Sequence, residues 1–335
     1  MANYQIIKTN SVNYHLFESL PEILYPKGSE RFRLGHEPSE LFLEGCYILL
    51  KDNFPVGRFA FYENPELVYK KGKCCNIGSY ECENNFESSK KLIEFAKEFA
   101  ISKDYSWIIG PMEGSTWNSY RFSLNHDSPQ FFMEPFHHLY YNNQFVKSGF
   151  EAIKNYTSNL VLASNIDSIK VKELEELNND LGFTFRNIDL EDYENELLKI
   201  AKLSLEGFTS NFLFTPISEK DFVAKYLQMK SFIDPNLIWM IEDESKELHA
   251  YIFCIKDLFD SKNETLIIKT IVRKRESNLK KVGIYSIFKI NEIAAKNGFT
   301  NVIHAMMSED NFSTKESERN ESKKYKEYSL YGLKL

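Results

Sequence analysis

The chain reads as α/β (α+β), two tandem units of one topology, each a mixed, mostly antiparallel central sheet flanked by helices. Three observations predict this. A hairpin of apolar runs, then a strand, an amphipathic helix and a further strand, occurs once in each half. The first of those helices carries its apolar residues on one stripe, as a helix lying on a sheet must. And 335 residues exceed one typical domain and suit two of about 150.

In the first half, residues 45–50 and 56–62 flank Lys51-Asp52-Asn53, and Asp-Asn between apolar runs favours a hairpin turn. Residues 74–82 read as the next strand. The helix over 87–101 sets Leu92, Ile93, Phe95, Ala96, Phe99 and Ala100 on one stripe, with lysines and glutamates opposite. A buried strand at 106–109 runs into Gly110-Pro111. A helix over 136–147 stops at Ser148-Gly149-Phe150, where glycine supplies the left-handed cap, and a strand at 156–162 closes the unit.

The second half repeats the order. Residues 183–188 read as a strand, 191–205 and 219–229 as helices, and 237–241 with 248–255 as a hairpin turning at Asp243-Glu244-Ser245. A strand at 266–272, a basic loop, a helix closed by Asn297-Gly298-Phe299 and a strand at 301–306 follow. A charged helix over 311–320 and a strand at 325–331 end the chain. Residues 164–181, polar and glutamate-rich, read as a linker with some helix, so the expected division is 1–163, 164–181 and 182–335.

Composition excludes several classes. With 43% hydrophobic and 27% charged residues, the chain is an ordinary globular one, and 15% aromatics point to aromatic-rich cores. A net charge of −7, with basic runs such as 273–275 and 323–326 that are too short, argues against nucleic acid as a partner. No apolar stretch reaches membrane-spanning length and no signal-peptide pattern opens the chain, so no membrane association and a cytoplasmic location are expected. Five cysteines suit no disulfide framework, and adjacent Cys74 and Cys75 point to opposite faces of a strand; buried thiols are expected. His137 and His138 lack carboxylates at ligand spacing, and no metal is expected.

One segment suggests a ligand. The strand 266–272 leads through Arg273-Lys274-Arg275 to Lys280-Lys281-Val282-Gly283 and a helix. Cationic side chains, free backbone N–H groups and the positive end of the helix dipole then meet at one spot, which suits phosphate. The matching loop of the first half, Glu83-Asn84-Asn85-Phe86-Glu87, is acidic and glycine-free and is expected to repel one.

With these elements in this order, the chain resembles the GNAT superfamily of acyl-CoA-dependent N-acyltransferases, from about residue 183 onward and, as a diverged copy, in the first half. Members hold the CoA pyrophosphate in a Gln/Arg-x-x-Gly-x-Gly/Ala loop. The aligned residues are Asn278-Leu279-Lys280-Lys281-Val282-Gly283: the last glycine is kept, Asn278 stands for Gln/Arg and Lys281 for the first glycine. The resemblance implies acetyl-CoA or another acyl-CoA as donor, held by Asn278, Lys280, Lys281, Val282, Gly283 and Ile284. It implies that the backbone of Ile271 and Val272 pairs with pantetheine amides as an added strand and polarises the thioester carbonyl. Asn311 stands where the family often places an asparagine on the pantetheine or phosphate arm. The implied acceptor is an amine, on a small molecule or a peptide.

Segments 110–122 and 131–141 are dense in functional side-chain types, and Trp117, Tyr120, Arg121, Glu134 and Tyr141 are the candidates for a substrate pocket. The other reading of them is an ordered loop tied over an aromatic core. His304 is either a base or a satisfied core histidine. The tyrosine that family members often carry on the last helix has no counterpart in 312–319, which leaves the acid that protonates the thiolate unassigned, with Tyr325 and Ser308 as the remaining candidates. The expected function is N-acyl transfer, acetyl transfer foremost, to an unidentified amine. The alternative is a catalytically inactive binding or sensor protein of the same fold; transfer from aminoacyl-tRNA is disfavoured by the net charge.

Overall fold

The computed structural model describes residues 2–34, 37–163, 167–310, 314, 317 and 322–335. The elements of the first half are β1 (Tyr4–Lys8), α1 (Tyr14–Leu24), β2 (Leu43–Lys51), β3 (Phe54–Tyr62), β4 (Val68–Tyr69), β5 (Gly72–Cys82), α2 (Phe86–Ser102), β6 (Trp107–Gly110), β7 (Phe122–Ser123), α3 (Tyr140–Lys147) and β8 (Glu151–Leu162). Those of the second are α4 (Ser168–Asn179), β9 (Thr184–Asn187), α5 (Tyr193–Gly207), α6 (Glu219–Leu227), β10 (Ile238–Glu242), β11 (Leu248–Lys256), β12 (Thr265–Arg273), α7 (Val282–Lys296), β13 (Asn301–Ser308) and β14 (Lys323–Lys334). The chain divides into two compact units, one of Met1–Tyr156, Phe212–Thr215 and Lys326–Leu335, the other of Thr157–Asn211 and Pro216–Tyr325.

Both units build the same kind of sheet. In the first, β1, β2, β3 and β5 pair antiparallel, β5 and β6 pair parallel, and β14 lies antiparallel to β6. In the second, β9, β10, β11 and β12 pair antiparallel, β12 and β13 pair parallel, and β8 is the next neighbour of β13. The parallel pair is the one joined by a crossover helix, α2 or α7, as parallel pairing requires.

Aromatics dominate the first core, where Tyr47, Phe59, Phe61, Tyr80, Phe122 and Phe145 are buried with the α2 stripe Leu92, Ile93, Ala96 and Ala100. In the second, Val171 and Leu174 of α4 are buried with Leu266, Ile290, Ile293 and Val302. The stretch read as a linker with some helix is thus a core helix from residue 168.

The helix expected over 136–147 begins at Tyr140. The charged helix expected over 311–320 lies largely outside the described residues. The closing strand, expected as part of a unit 182–335, groups with the first unit from Lys326 onward. β1 and α1 carried no signal that stood out. Pro21 sits inside α1 and breaks its hydrogen-bond ladder by lacking an N–H, which leaves the Phe17 carbonyl without its helical donor. Arg58 of β3 donates to that carbonyl from Nη1.

Candidate functional site

In the second unit two neighbouring strands part company. Pairing of β12 with β13 runs from Thr265↔Asn301 to Ile268↔His304 and stops there. On its other side β12 continues with β11 to Ala250↔Arg273, through a register shift in which Cys254 faces Ile268 and Phe253 faces Thr270. Lys269 is the extra residue of that bulge. A bulge bends its strand and increases the local twist, which here swings β12 away from β13. Among the described residues, Thr270–Val272 then run on with no strand against the edge that faced β13. Such an edge offers backbone donors and acceptors to an extended ligand. Ile271 is exposed, while Val272 is buried on the opposite face.

The strand leads to a loop held by side-chain hydrogen bonds. Arg273 Nη2 donates to the carbonyls of Ser277 (2.8 Å) and Leu279 (3.3 Å). Ser277 Oγ accepts from the Leu279 N–H at 3.2 Å and meets His249 Nδ1 at 2.8 Å. Asn178, buried on α4, accepts from the Lys280 N–H at 2.8 Å and donates to the Lys280 carbonyl at 3.2 Å. Lys281 then adopts the left-handed conformation, φ 53°, at the start of α7. A non-glycine residue there costs about 1–2 kcal/mol, at the position where the aligned motif has glycine.

The N-terminus of α7 has no capping side chain. The first-turn N–H groups of Val282, Gly283 and Ile284 have no acceptor within the helix and so remain available. Asn278, Lys280, Lys281 and Ile284 are exposed around them, while Val282 is buried and anchors the turn. The sequence-predicted set 271–284 is therefore gathered along one strand edge and one helix end. Asn311 lies outside the described residues.

His304 closes the fork, opposite Ile268. Its ring is half-buried, and desolvation lowers its pKa to about 4, so the imidazole is neutral at physiological pH. Two features here leave little trace in the sequence: the bulge at Lys269, which only register reveals, and the clamp by Asn178. A buried asparagine ending an amphipathic pattern, Val171-x-x-Leu174-x-x-x-Asn178, is the trace it left.

The first unit starts from the same plan and fills it. Pairing of β5 with β6 runs from Cys74↔Trp107 to Asn76↔Ile109, and β5 then bulges against β3 at Ser79, φ 47°. Beyond that point its edge is taken by the chain itself. The Met112 N–H donates to the Ile77 carbonyl at 2.9 Å, Ser79 Oγ donates to Glu113 at 2.7 Å, and Met112 bridges Tyr120. A Cβ on Gly78 would come within 2.8 Å of the Met112 carbonyl oxygen, so only glycine permits so close an approach. The end of α2 is occupied too: Asn85 Oδ1 accepts from the N–H groups of Glu87 (2.9 Å) and Ser88 (3.3 Å).

The candidates for a substrate pocket all lie in this first unit. Trp117 is half-buried; its Nε1 donates to the Thr215 carbonyl at 2.8 Å and its ring packs edge-on to Phe214. The Arg121 guanidinium lies 3.7 Å from the ring centre of half-buried Tyr120 and 4.0 Å from that of Tyr156. Glu134 is buried and accepts from the Tyr328 hydroxyl at 2.8 Å, with Lys326 at 3.8 Å. Tyr141 is fully buried and donates to Glu81 at 2.7 Å. Glu134 and Tyr141 are interior residues, whereas Trp117 and Tyr120 keep partial access to solvent.

All five cysteines are buried free thiols, and burial pushes Cys46 and Cys74 up to about 11. Among the described residues one trio, Asp243, Glu247 and His249, has side-chain ligand atoms within 4.8 Å of one another. Its members are engaged elsewhere, Glu247 with Lys274 at 2.8 Å and Asp243 with Ser245 at 2.7 Å. No helix among the described residues is long and apolar enough to cross a membrane.

No protein-family model matches the sequence, and no curated protein matches it. Solved structures do. The chain is similar over 99% of its length to a GCN5-related glucosamine N-acetyltransferase region of a fungal multi-domain β-N-acetylglucosaminidase, at TM-score 0.60 and 12% identity, and spans 38% of that protein. It is similar to a tandem GNAT protein from the clavulanic acid biosynthesis pathway, at TM-score 0.55 and 10% identity, over 99% of this chain and 98% of that one. A GCN5-related N-acetyltransferase from Sphaerobacter thermophilus matches at TM-score 0.54 and 8% identity, over 99% and 95%. Likeness at such identities speaks for the fold alone. The repeated sheet with its forked parallel pair, and these neighbours, together give one assignment: the chain is a tandem GNAT-fold protein.

Proposed function

We propose that the protein is an acyl-CoA-dependent N-acyltransferase with a single cofactor site, in the second unit, and an amine acceptor. The observation that carries this reading is the continuity of the β12 edge at Thr270–Val272, open among the described residues, with the uncapped N-terminus of α7. An acyl-CoA pairs an amide-bearing arm with a diphosphate, and supplies the activated thioester. The chain offers each part its complement: strand-edge N–H and carbonyl groups for the amides, and N–H groups of 282–284 with Lys280 and Lys281 for the phosphates. A backbone N–H of Ile271 or Val272 would stabilise charge on the thioester oxygen.

Neutral His304, at the fork, suits a proton acceptor better than a donor. No side chain is assigned to protonate the leaving thiolate. The half-buried Trp117 and Tyr120 support a place for the acceptor in the first unit. The filled β5 edge and the side-chain cap on α2 support one cofactor site rather than two.

Calorimetric titration with acetyl-CoA and longer acyl-CoAs tests the cofactor, and thiol release across a panel of amines tests the chemistry. Failure of every thioester to bind overturns the reading. Binding without thiol release favours a sensor or binding protein of this fold, for which the lysine at the left-handed position of the loop also speaks.

A further inference from the structure

We propose that the first unit holds a small inorganic anion of chloride's size beneath α1, bound by the Nε–H and Nη2–H edge of Arg58. Arg58 is 2% exposed, and its guanidinium carbon lies 4.4 Å from the Phe17 ring centre. Nη1 is committed to the carbonyl that Pro21 leaves free. Nε and Nη2 are buried and have no hydrogen-bond partner. These two N–H groups point the same way from one edge of the planar group, the fork that receives anions side-on.

The charges around Arg58 do not balance. Arg31 and Arg58 are both buried beside Glu81, so two guanidiniums less one carboxylate leave a net charge of +1. Glu81 is already committed: Oε1 accepts from Arg31 Nε at 2.8 Å, and Oε2 from the hydroxyls of Tyr25 (2.8 Å) and Tyr141 (2.7 Å). Arg58 Nη2 stands 4.0 Å from Oε1, beyond hydrogen-bond reach. An arginine does not shed its charge by losing a proton, so a buried one needs a counter-charge. Cys46, beside it, supplies none, because burial keeps the thiol protonated up to about 11. The burial of Arg58 limits the occupant to an ion of a few atoms, and its unpaired edge presents only donors, which makes the occupant an anion.

Thermal unfolding of the full chain in sodium chloride and in sodium gluconate, at equal ionic strength, tests this, because gluconate is too large to enter. Chloride is expected to raise the midpoint by about 2–4 °C over a hundredfold rise in its concentration. Glu81→Gln, which leaves both cations unopposed, should steepen that dependence, and Arg58→Met should abolish it. Arg58→Met also loses the Phe17 contacts, so bromide provides an independent probe: crystals of the wild-type protein grown in sodium bromide should show an anomalous peak between Nε and Nη2 of Arg58. Equal midpoints in the two salts, a chloride effect that survives Arg58→Met, or a map without bromide at Arg58 would each overturn the proposal.

Discussion

Replacing Gly283 with glutamate separates the stability of α7 from its capacity to hold phosphate. Gly283 is the second residue of α7, whose N-terminus carries no side-chain cap. Glutamate is favoured over glycine in a helix by about 0.5 kcal/mol. A carboxylate in the first turn gains a further 0.3–1 kcal/mol, roughly, from the helix dipole. The unliganded variant should therefore be at least as stable as the wild type. A diphosphate on the same N–H groups would meet the new carboxylate at about 5 Å. Each charge pair then costs about 1–3 kcal/mol for effective dielectric constants between about 80 and about 20. Acetyl-CoA affinity should fall about five- to hundredfold, read by calorimetry beside a thermal melt. A variant that binds as tightly as the wild type refutes the phosphate placement. One that loses binding and also melts several degrees lower refutes the helix argument instead.

Three further outcomes are expected. Asn178→Leu strips Lys280 of both buried partners, costing about 1–3 kcal/mol of stability and loosening the loop, so acetyl-CoA affinity should drop; Asn178→Asp keeps the acceptor and should retain most of it, and equal affinity in all three proteins would count against a clamping role. His137 is buried as a neutral ring, because Nε2 must accept from the Ser123 N–H (2.6 Å), which leaves Nδ1–H to donate to the His138 carbonyl (3.1 Å). Burial lowers its pKa to about 3. The unfolded chain, titrating near 6.5, then binds the extra proton first; this residue leaves stability unchanged above about pH 6.5 and erodes it as pH falls toward 3, by at most about 1.4 kcal/mol per pH unit. Denaturant titrations at pH 7, 6 and 5 should show a shallower decline in His137→Asn, and parallel declines would contradict this. Trp117→Ala should change acceptor use while leaving acetyl-CoA affinity within about twofold; a loss of CoA affinity alone would move the acceptor pocket elsewhere.

The elements legible in the sequence were those whose local signals agree with their packing. The α2 stripe and the β2–β3 hairpin declared themselves because helical spacing and Asp-Asn turn chemistry point where the core lies. α1 was hidden because Pro21 contradicts its helical pattern locally, and the contradiction is resolved only by Arg58, distant in sequence, reaching the freed carbonyl. α4 was read as a linker because its buried residues are few, Val171, Leu174 and Asn178, among glutamates and lysines. β14 departs from the rule that neighbours in sequence pair, because its partner β6 lies more than 200 residues earlier.

For the candidate site, composition located the loop and could not establish its geometry. The two loops differ in charge, and their helix ends differ as well: Asn85 folds back on α2, while Lys281 is turned left-handed and makes no side-chain cap on α7. The strand edges were not foretold. Both β5 and β12 bulge and leave their parallel partner after a few residues, yet nothing in 77–82 or 269–273 says which edge stays open. That is decided by residues 111–121, which bring Met112 and Glu113 back onto β5, and by Gly78, whose missing side chain lets them approach. The segment that looked richest in functional side chains therefore carries, in part, a structural task. Its Met112 and Glu113 fill in the first unit the edge whose counterpart, among the described residues, stays open in the second.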